Sequence, residues 1–212
     1  MKFKLCFTIL TLATLMTSCL GDKKAVNVSE LEDTSFVNEN FKGNLINYNK
    51  DSACEQMSLS TLATLYNVSE DKIRVLDNKN SDRFRKEVEP QCGFYIETSK
   101  NDYEWLRGSI SLFREIKKNE MMGEIAEAAG GGEKWQEAWA LQKSISKSAE
   151  WVDNLGMAAL WNESKHELKI KFDGYTLMVY PPKNSLNKEE VAKNRDYKKI
   201  ALAMAKAAGY TN

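Results

Sequence analysis

The 212-residue sequence predicts an α+β fold: one domain in which an antiparallel sheet of about five to six strands packs against three to four helices. Three observations carry this. "ELKIKFDGYTLMVY", residues 167–180, alternates apolar and polar side chains on both sides of an Asp-Gly pair, the strongest short hairpin signal. Apolar residues also recur at helical spacing in two separate stretches, after Ser52 and after Asn187. The part of the chain that carries these patterns, 51–212, has the ordinary length of a single domain.

The chain opens with a basic start (Lys2, Lys4), an apolar run from Leu5 to Met16 and the small residues Thr17 and Ser18 before Cys19. This is the layout of a secretory signal peptide over residues 1–18. Its twelve apolar residues are too few for a membrane-spanning helix, which needs about 20. "LMTSC", residues 15–19, resembles the lipobox of bacterial lipoproteins. The resemblance implies that the Cys19 thiol receives a diacylglycerol and that cleavage leaves Cys19 as the first residue of the mature chain. Its acyl chains, palmitate in kind, are then the only membrane anchor. An ordinary signal peptide with an incidental cysteine is the alternative.

Residues 19–50 read as a lipidated cysteine followed by a flexible polar tether, rich in Asn, Asp, Glu, Ser and Lys and without sustained period. About 30 such residues have a root-mean-square span of roughly 30 Å, enough to hold a domain clear of lipid headgroups. Loss of the leader removes Lys2 and Lys4 and leaves 28 basic against 30 acidic side chains. That balance, with no basic patch interleaved with aromatics, argues against a nucleic-acid partner.

Within the domain, Ser52 and Glu55 have capping-box spacing, and Cys54, Met57, Leu59, Leu62, Ala63 and Tyr66 follow a helical period. "IRVLD" at 73–77 reads as a short strand or the end of a helical turn. "QCGFYIETS" at 91–99 alternates with Cys92, Phe94 and Ile96 on one face, and "GSISLFREI" at 108–116 alternates through Ile110 and Leu112. Two helices are expected next, over 119–129 and 133–151. The glycines at 130–132 between them are a connection rather than a phosphate cradle, because no Lys-Ser/Thr pair follows and they leave a helix rather than a strand. "GMAALWNE" at 156–163 supplies a strand before the hairpin. A last helix starts at Asn187, carries Tyr197, Ile200, Ala201, Met204 and Ala208, and stops at Gly209.

Of the four cysteines, Cys6 leaves with the leader and Cys19 carries lipid. Cys54 and Cys92 remain, and two thiols in an oxidising compartment read as one disulfide. It would close a 39-residue loop between the first helix and a strand. A zinc site is the competing reading; it lacks a CxxC pair and any histidine besides His166.

The order of elements, the cysteine near the first helix, "CGFYIE" and "WVDNLGMAALW" together resemble a group of bacterial envelope lipoproteins of unassigned function, related in layout to the extracellular sensor domain of some bacterial receptor kinases. The likeness spans about residues 53–207 and places Cys54, Cys92, Val152, Leu155, Gly156 and Ala159 at the group's shared positions. Met157 departs from it, standing where the group often has an acidic residue. The resemblance implies a disulfide-bonded fold and a lipid-anchored envelope role, and brings no catalytic residues.

No triad-type constellation is legible. His166 lies in the polar turn "NESKHELK" and reads as a solvated surface side chain, and there is no GxSxG, HExxH or calcium loop. Four tryptophans, Trp135, Trp139, Trp151 and Trp161, fall close together. Trp135 and Trp139, at i and i+4, read as core, whereas Trp151 and Trp161 flank the "VDNLG" turn and are the candidate ligand-facing pair. The sequence therefore predicts a noncatalytic cell-envelope lipoprotein at the outer membrane or periplasmic face. It needs no cofactor or metal, is held to the membrane through Cys19, and binds an unknown protein or small-molecule ligand in a sensor-like manner. The alternative is an inhibitor or immunity-type protein that blocks an envelope enzyme.

Overall fold

The structure, a computed structural model, describes residues 23–41, 54, 57–77, 91–115 and 135–210. The signal peptide, Cys19, the Ser52 and Glu55 pair, the helix expected at 119–129 and the glycines at 130–132 lie outside the described residues.

One sheet of seven strands organises the domain: β1 (Ile73–Asp77), β2 (Gln91–Ile96), β3 (Leu106–Arg114), β4 (Ala149–Trp151), β5 (Ala158–Asn162), β6 (Glu167–Phe172) and β7 (Tyr175–Lys183). Their spatial order is β1-β2-β3-β7-β6-β5-β4, and each neighbouring pair is antiparallel. The β6–β7 hairpin has the register that the Asp-Gly turn dictates, with Phe172 opposite Tyr175, Ile170 opposite Leu177 and Leu168 opposite Val179. Gly174 adopts the positive φ, 72°, that such a turn requires. The sheet has one strand more than the upper bound expected. The helix that starts at Trp135 ends at Ile145, and a turn redirects Ala149–Trp151 to pair with β5.

The helices are α1 (Val28–Leu31), α2 (Leu59–Tyr66), α3 (Trp135–Ile145), α4 (Lys188–Ala192) and α5 (Tyr197–Ala207). α2 begins later than the capping-box spacing suggests. Ser58 is its N-cap, its Oγ accepting the Ser60 N–H at 3.2 Å, so Cys54 precedes the helix instead of lying within it. The expected last helix is two. Asn194, at φ 46°, breaks it after α4, and Asp196 restarts it by accepting the Lys199 N–H at 2.9 Å.

Strand alternation gives the sheet two apolar faces. Cys92, Phe94, Ile96, Ile110, Leu112, Trp161, Leu168, Ile170, Leu177 and Val179 form a core with Leu62 and Tyr66 of α2 and Ile200, Ala201 and Met204 of α5. Ala158 and Leu160, one residue out of phase with Trp161, join a second cluster with Trp135 and Trp139 of α3. Cys54 and Cys92 have their sulfurs at disulfide distance, which ties the approach to α2 to the buried face of β2.

The described part of the expected tether, 23–41, is packed against the domain. The Lys24 N–H donates to Ile145 O at 3.0 Å, the Asn38 N–H donates to Met157 O at 2.8 Å, and the Phe36 ring stacks on Trp151 at 3.9 Å. Val37 joins the second cluster and Phe41 reaches the first. The segment's polar composition conceals these three apolar anchors, which are too irregularly spaced to register as a helix or strand.

Candidate functional site

A bulge in β7 shapes one end of the sheet. Tyr180 is opposite Ser109 and Lys183 is opposite Arg107, so Pro181 and Pro182 together face Gly108. A Cβ on Gly108 would lie 2.4 Å from Tyr180 O and 2.5 Å from Pro182 N, so the absent side chain permits the close approach. Beyond the bulge the chain runs into the loop before α4, and two asparagines pin that loop to the segment before β3. Asn184 Nδ2 donates to Trp105 O at 2.9 Å; Asn187 Nδ2 donates to Thr98 Oγ1 at 2.9 Å and to Glu104 O at 3.0 Å.

The loop, the start of β3, the β5–β6 turn and the α4–α5 connection enclose a cleft of about 650 Å³. Its charged lining comprises Arg107, Glu163, Lys183, Glu190 and Arg195, with His166 between Lys183 and Glu163. His166 takes φ 49° in the β5–β6 turn, and its side chain is only 26 % exposed, because the ring folds back to 4.6 Å from Tyr197 and 6.4 Å from Trp161. The solvated side chain expected from the sequence is therefore corrected to a half-buried one. Nothing in a polar turn signals this; the left-handed backbone and the Tyr197 ring at the start of α5 decide it.

Lys183 Nζ lies 2.6 Å from His166 Nδ1 and donates to Lys165 O at 3.1 Å. The ammonium donates to Nδ1, so the ring's own proton sits on Nε2, which lies 3.6 Å from Glu163 Oε1. Burial, and then the neighbouring Lys183 charge, hold the imidazole below its ordinary pKa, with Glu163 opposing. Burial also lowers the Lys183 ammonium.

On the opposite wall Glu190 is 3 % exposed. Burial pushes its carboxyl up, but bonds from Arg195 and Lys193 outweigh this and hold it below the usual range. Arg195 also donates to Tyr66 O at 3.1 Å, satisfying a carbonyl at the C-terminus of α2, and lies 4.8 Å over the Tyr66 ring. Burial and the Glu190 charge raise the Tyr197 hydroxyl.

Trp151 and Trp161, the pair expected to face one ligand, sit on opposite faces of the sheet. Trp161 is 1 % exposed in the core, its Nε1 donating to Glu163 Oε2 at 2.7 Å. Trp151 is opposite Leu160 and covered by Phe36. They flank a turn, but β4 and β5 carry them out of phase. Trp161 thus reaches the cleft only by holding Glu163. Among the described residues no group of three or more His, Cys, Asp or Glu is arranged to hold a metal ion, and no helix is long and apolar enough to cross a membrane.

Comparison with protein families, curated proteins and solved structures finds no match to this chain.

Proposed function

We propose that this protein is a lipid-anchored, noncatalytic component of a bacterial cell envelope whose domain binds a ligand in the cleft between β3, β7 and the α4–α5 connection. The anchor follows from the lipobox-like leader and Cys19. The binding role rests on one observation: the cleft wall is preformed, its loop clamped by Asn184 and Asn187 and its buried carboxylate locked by Arg195. A site ordered before its ligand arrives loses little entropy on binding. His166 supports binding rather than catalysis, because both its nitrogens face charged side chains, Lys183 and Glu163, instead of a hydroxyl or thiol that it would activate.

The test is crosslinking and recovery from the native envelope. The expected result is a bound small molecule identified by mass spectrometry from the lipidated protein. A single stoichiometric envelope enzyme in its place would favour the inhibitor or immunity-type reading. Hydrolysis of envelope polymers or esters with ordinary efficiency by residues 20–212 would overturn the noncatalytic reading. Such a truncation should retain 23–41, since that segment is part of the packed domain.

A further inference from the structure

The cleft places two cations against each other. Arg107 and Lys183 are direct cross-strand partners, and like charges opposite one another on adjacent strands destabilise a sheet. Neither has a carboxylate within ion-pair distance among the described residues. Arg107 Nη2 donates to Asp102 O at 3.4 Å and the guanidinium lies 5.6 Å from the Tyr95 ring centroid. Lys183 has Lys165 O and His166 Nδ1. All four of these partners are neutral and Glu163 offsets the Lys183 charge only from beyond ion-pair distance, so an anion between Arg107 and Lys183 relieves the like-charge pairing.

The lining also limits the charge and shape of that anion. Arg107, Lys183 and Arg195 are the lining cations and Glu163 and Glu190 the anions; Glu190 is also paired with Lys193 just outside the lining, so the surplus charge is positive. Beside the cations the rim carries Tyr103, Leu186 and Val191, whose relative exposures are 72 %, 69 % and 57 %. Three large apolar side chains left in water around one charged cleft are an apolar surface awaiting cover.

We propose that the cleft binds an amphipathic monocarboxylate, its carboxylate bridging Arg107 and Lys183 and its apolar body lying on Tyr103, Leu186 and Val191. This assignment rests on the ligand-binding reading above and names the chemical class of the ligand. The carboxylate accepts hydrogen bonds from both cations and cancels their repulsion. The apolar body covers the exposed rim, so neither half of the ligand alone suffices.

The test is calorimetric titration of the full mature chain in lipid nanodiscs, with empty nanodiscs as the blank. The probes are 4-phenylbutyrate, 4-phenylbutanol, 4-phenylbutyl phosphate and acetate. We expect 4-phenylbutyrate to bind at least tenfold more tightly than each of the other three. Arg107→Ala and Lys183→Met should each weaken it at least tenfold and leave the alcohol unchanged. Equal binding of alcohol and carboxylate, tighter binding of the phosphate, or unchanged affinity in both variants would overturn the assignment. If 4-phenylbutyrate fails to bind while a different small molecule is recovered from the envelope, the assignment falls and the binding reading stands. If the probe binds and is chemically altered, the site stands and the noncatalytic reading falls.

Discussion

Glu190 and Arg195 hold one another through two contacts, Nε to Oε2 at 2.8 Å and Nη2 to Oε1 at 3.3 Å, and the same guanidinium caps α2 through Tyr66 O. One buried ion pair therefore joins the α4–α5 break to α2. Removing the carboxylate leaves the arginine charge uncompensated, so Glu190→Ala is expected to cost about 3 kcal/mol. The Lys193 contact adds little, because that side chain is half exposed. The folded-state pKa of Glu190 lies below its ordinary value of about 4.5. The pair's stabilisation is thus complete above that value and lost as pH falls through the folded one. Denaturant titrations of wild type and Glu190→Gln at a series of pH values check this: the variant should be less stable at neutral pH and lose less on acidification. Parallel curves would refute the assignment.

Gly108 and Gly174 separate steric from conformational demand. At Gly108 a Cβ meets backbone atoms of β7, which cannot rotate away, so Gly108→Ala should cost about 3 kcal/mol. At Gly174 nothing lies within 4 Å of the added Cβ, and only the positive φ opposes Gly174→Ala, at about 1 kcal/mol. Thermal melts of both variants should therefore rank Gly108→Ala well below Gly174→Ala. The reverse order would show that the β7 bulge does not need the glycine.

His166 supplies a pH dependence nearer neutrality. Its folded-state pKa lies below the ordinary 6.5, so the unfolded chain takes up the proton first as pH falls. Stability is then fully present above about 6.5 and declines as pH drops towards the folded value. His166→Asn removes the titration while asparagine tolerates the left-handed backbone. Its unfolding free energy should be flatter just below pH 6.5 than that of the wild type, and an identical slope would exclude His166 as the source.

The hairpin and the β2 and β3 faces were legible in the sequence because period-two alternation and a two-residue turn are local signals, and the pairing of Cys54 with Cys92 because only these two cysteines remain once Cys6 and Cys19 are set aside. β4 was not, since three residues after a helix carry no period. The break between α4 and α5 was hidden because Asn194 and Asp196 interrupt an otherwise helical pattern by only a few residues. The cleft was least visible of all. Arg107, His166, Lys183, Glu190 and Arg195 are ordinary polar residues in their own stretches, and only strand order and the β7 bulge assemble them. A one-residue phase difference separated Trp151 from Trp161 for the same reason: facing is set by register, not by proximity in sequence.

The Cys54–Cys92 link makes a separate prediction. Alkylation of the non-reduced protein should leave both thiols unlabelled, and reduction should lower stability by about 4 kcal/mol on the chain-entropy estimate for a loop of this length. Free thiols at both positions would remove the covalent tie between the approach to α2 and the sheet.

Phe36 decides whether the N-terminal segment belongs to the domain. Its ring stacks on Trp151 and meets Trp135 edge-on at 6.2 Å, covering the second cluster. Were 23–41 a free tether, Phe36→Ala would change nothing measurable. As a partly buried, packed ring it should cost about 1–2 kcal/mol, less than a fully buried phenylalanine, through lost transfer free energy and fit. The loss should also be local. Hydrogen exchange should quicken at the Lys24 and Asn38 amides, which bond to Ile145 and Met157, before it quickens in β6 and β7. Tryptophan emission should shift to the red as Trp151 is uncovered. If stability, exchange and emission all stay at wild-type values, the segment is a tether after all.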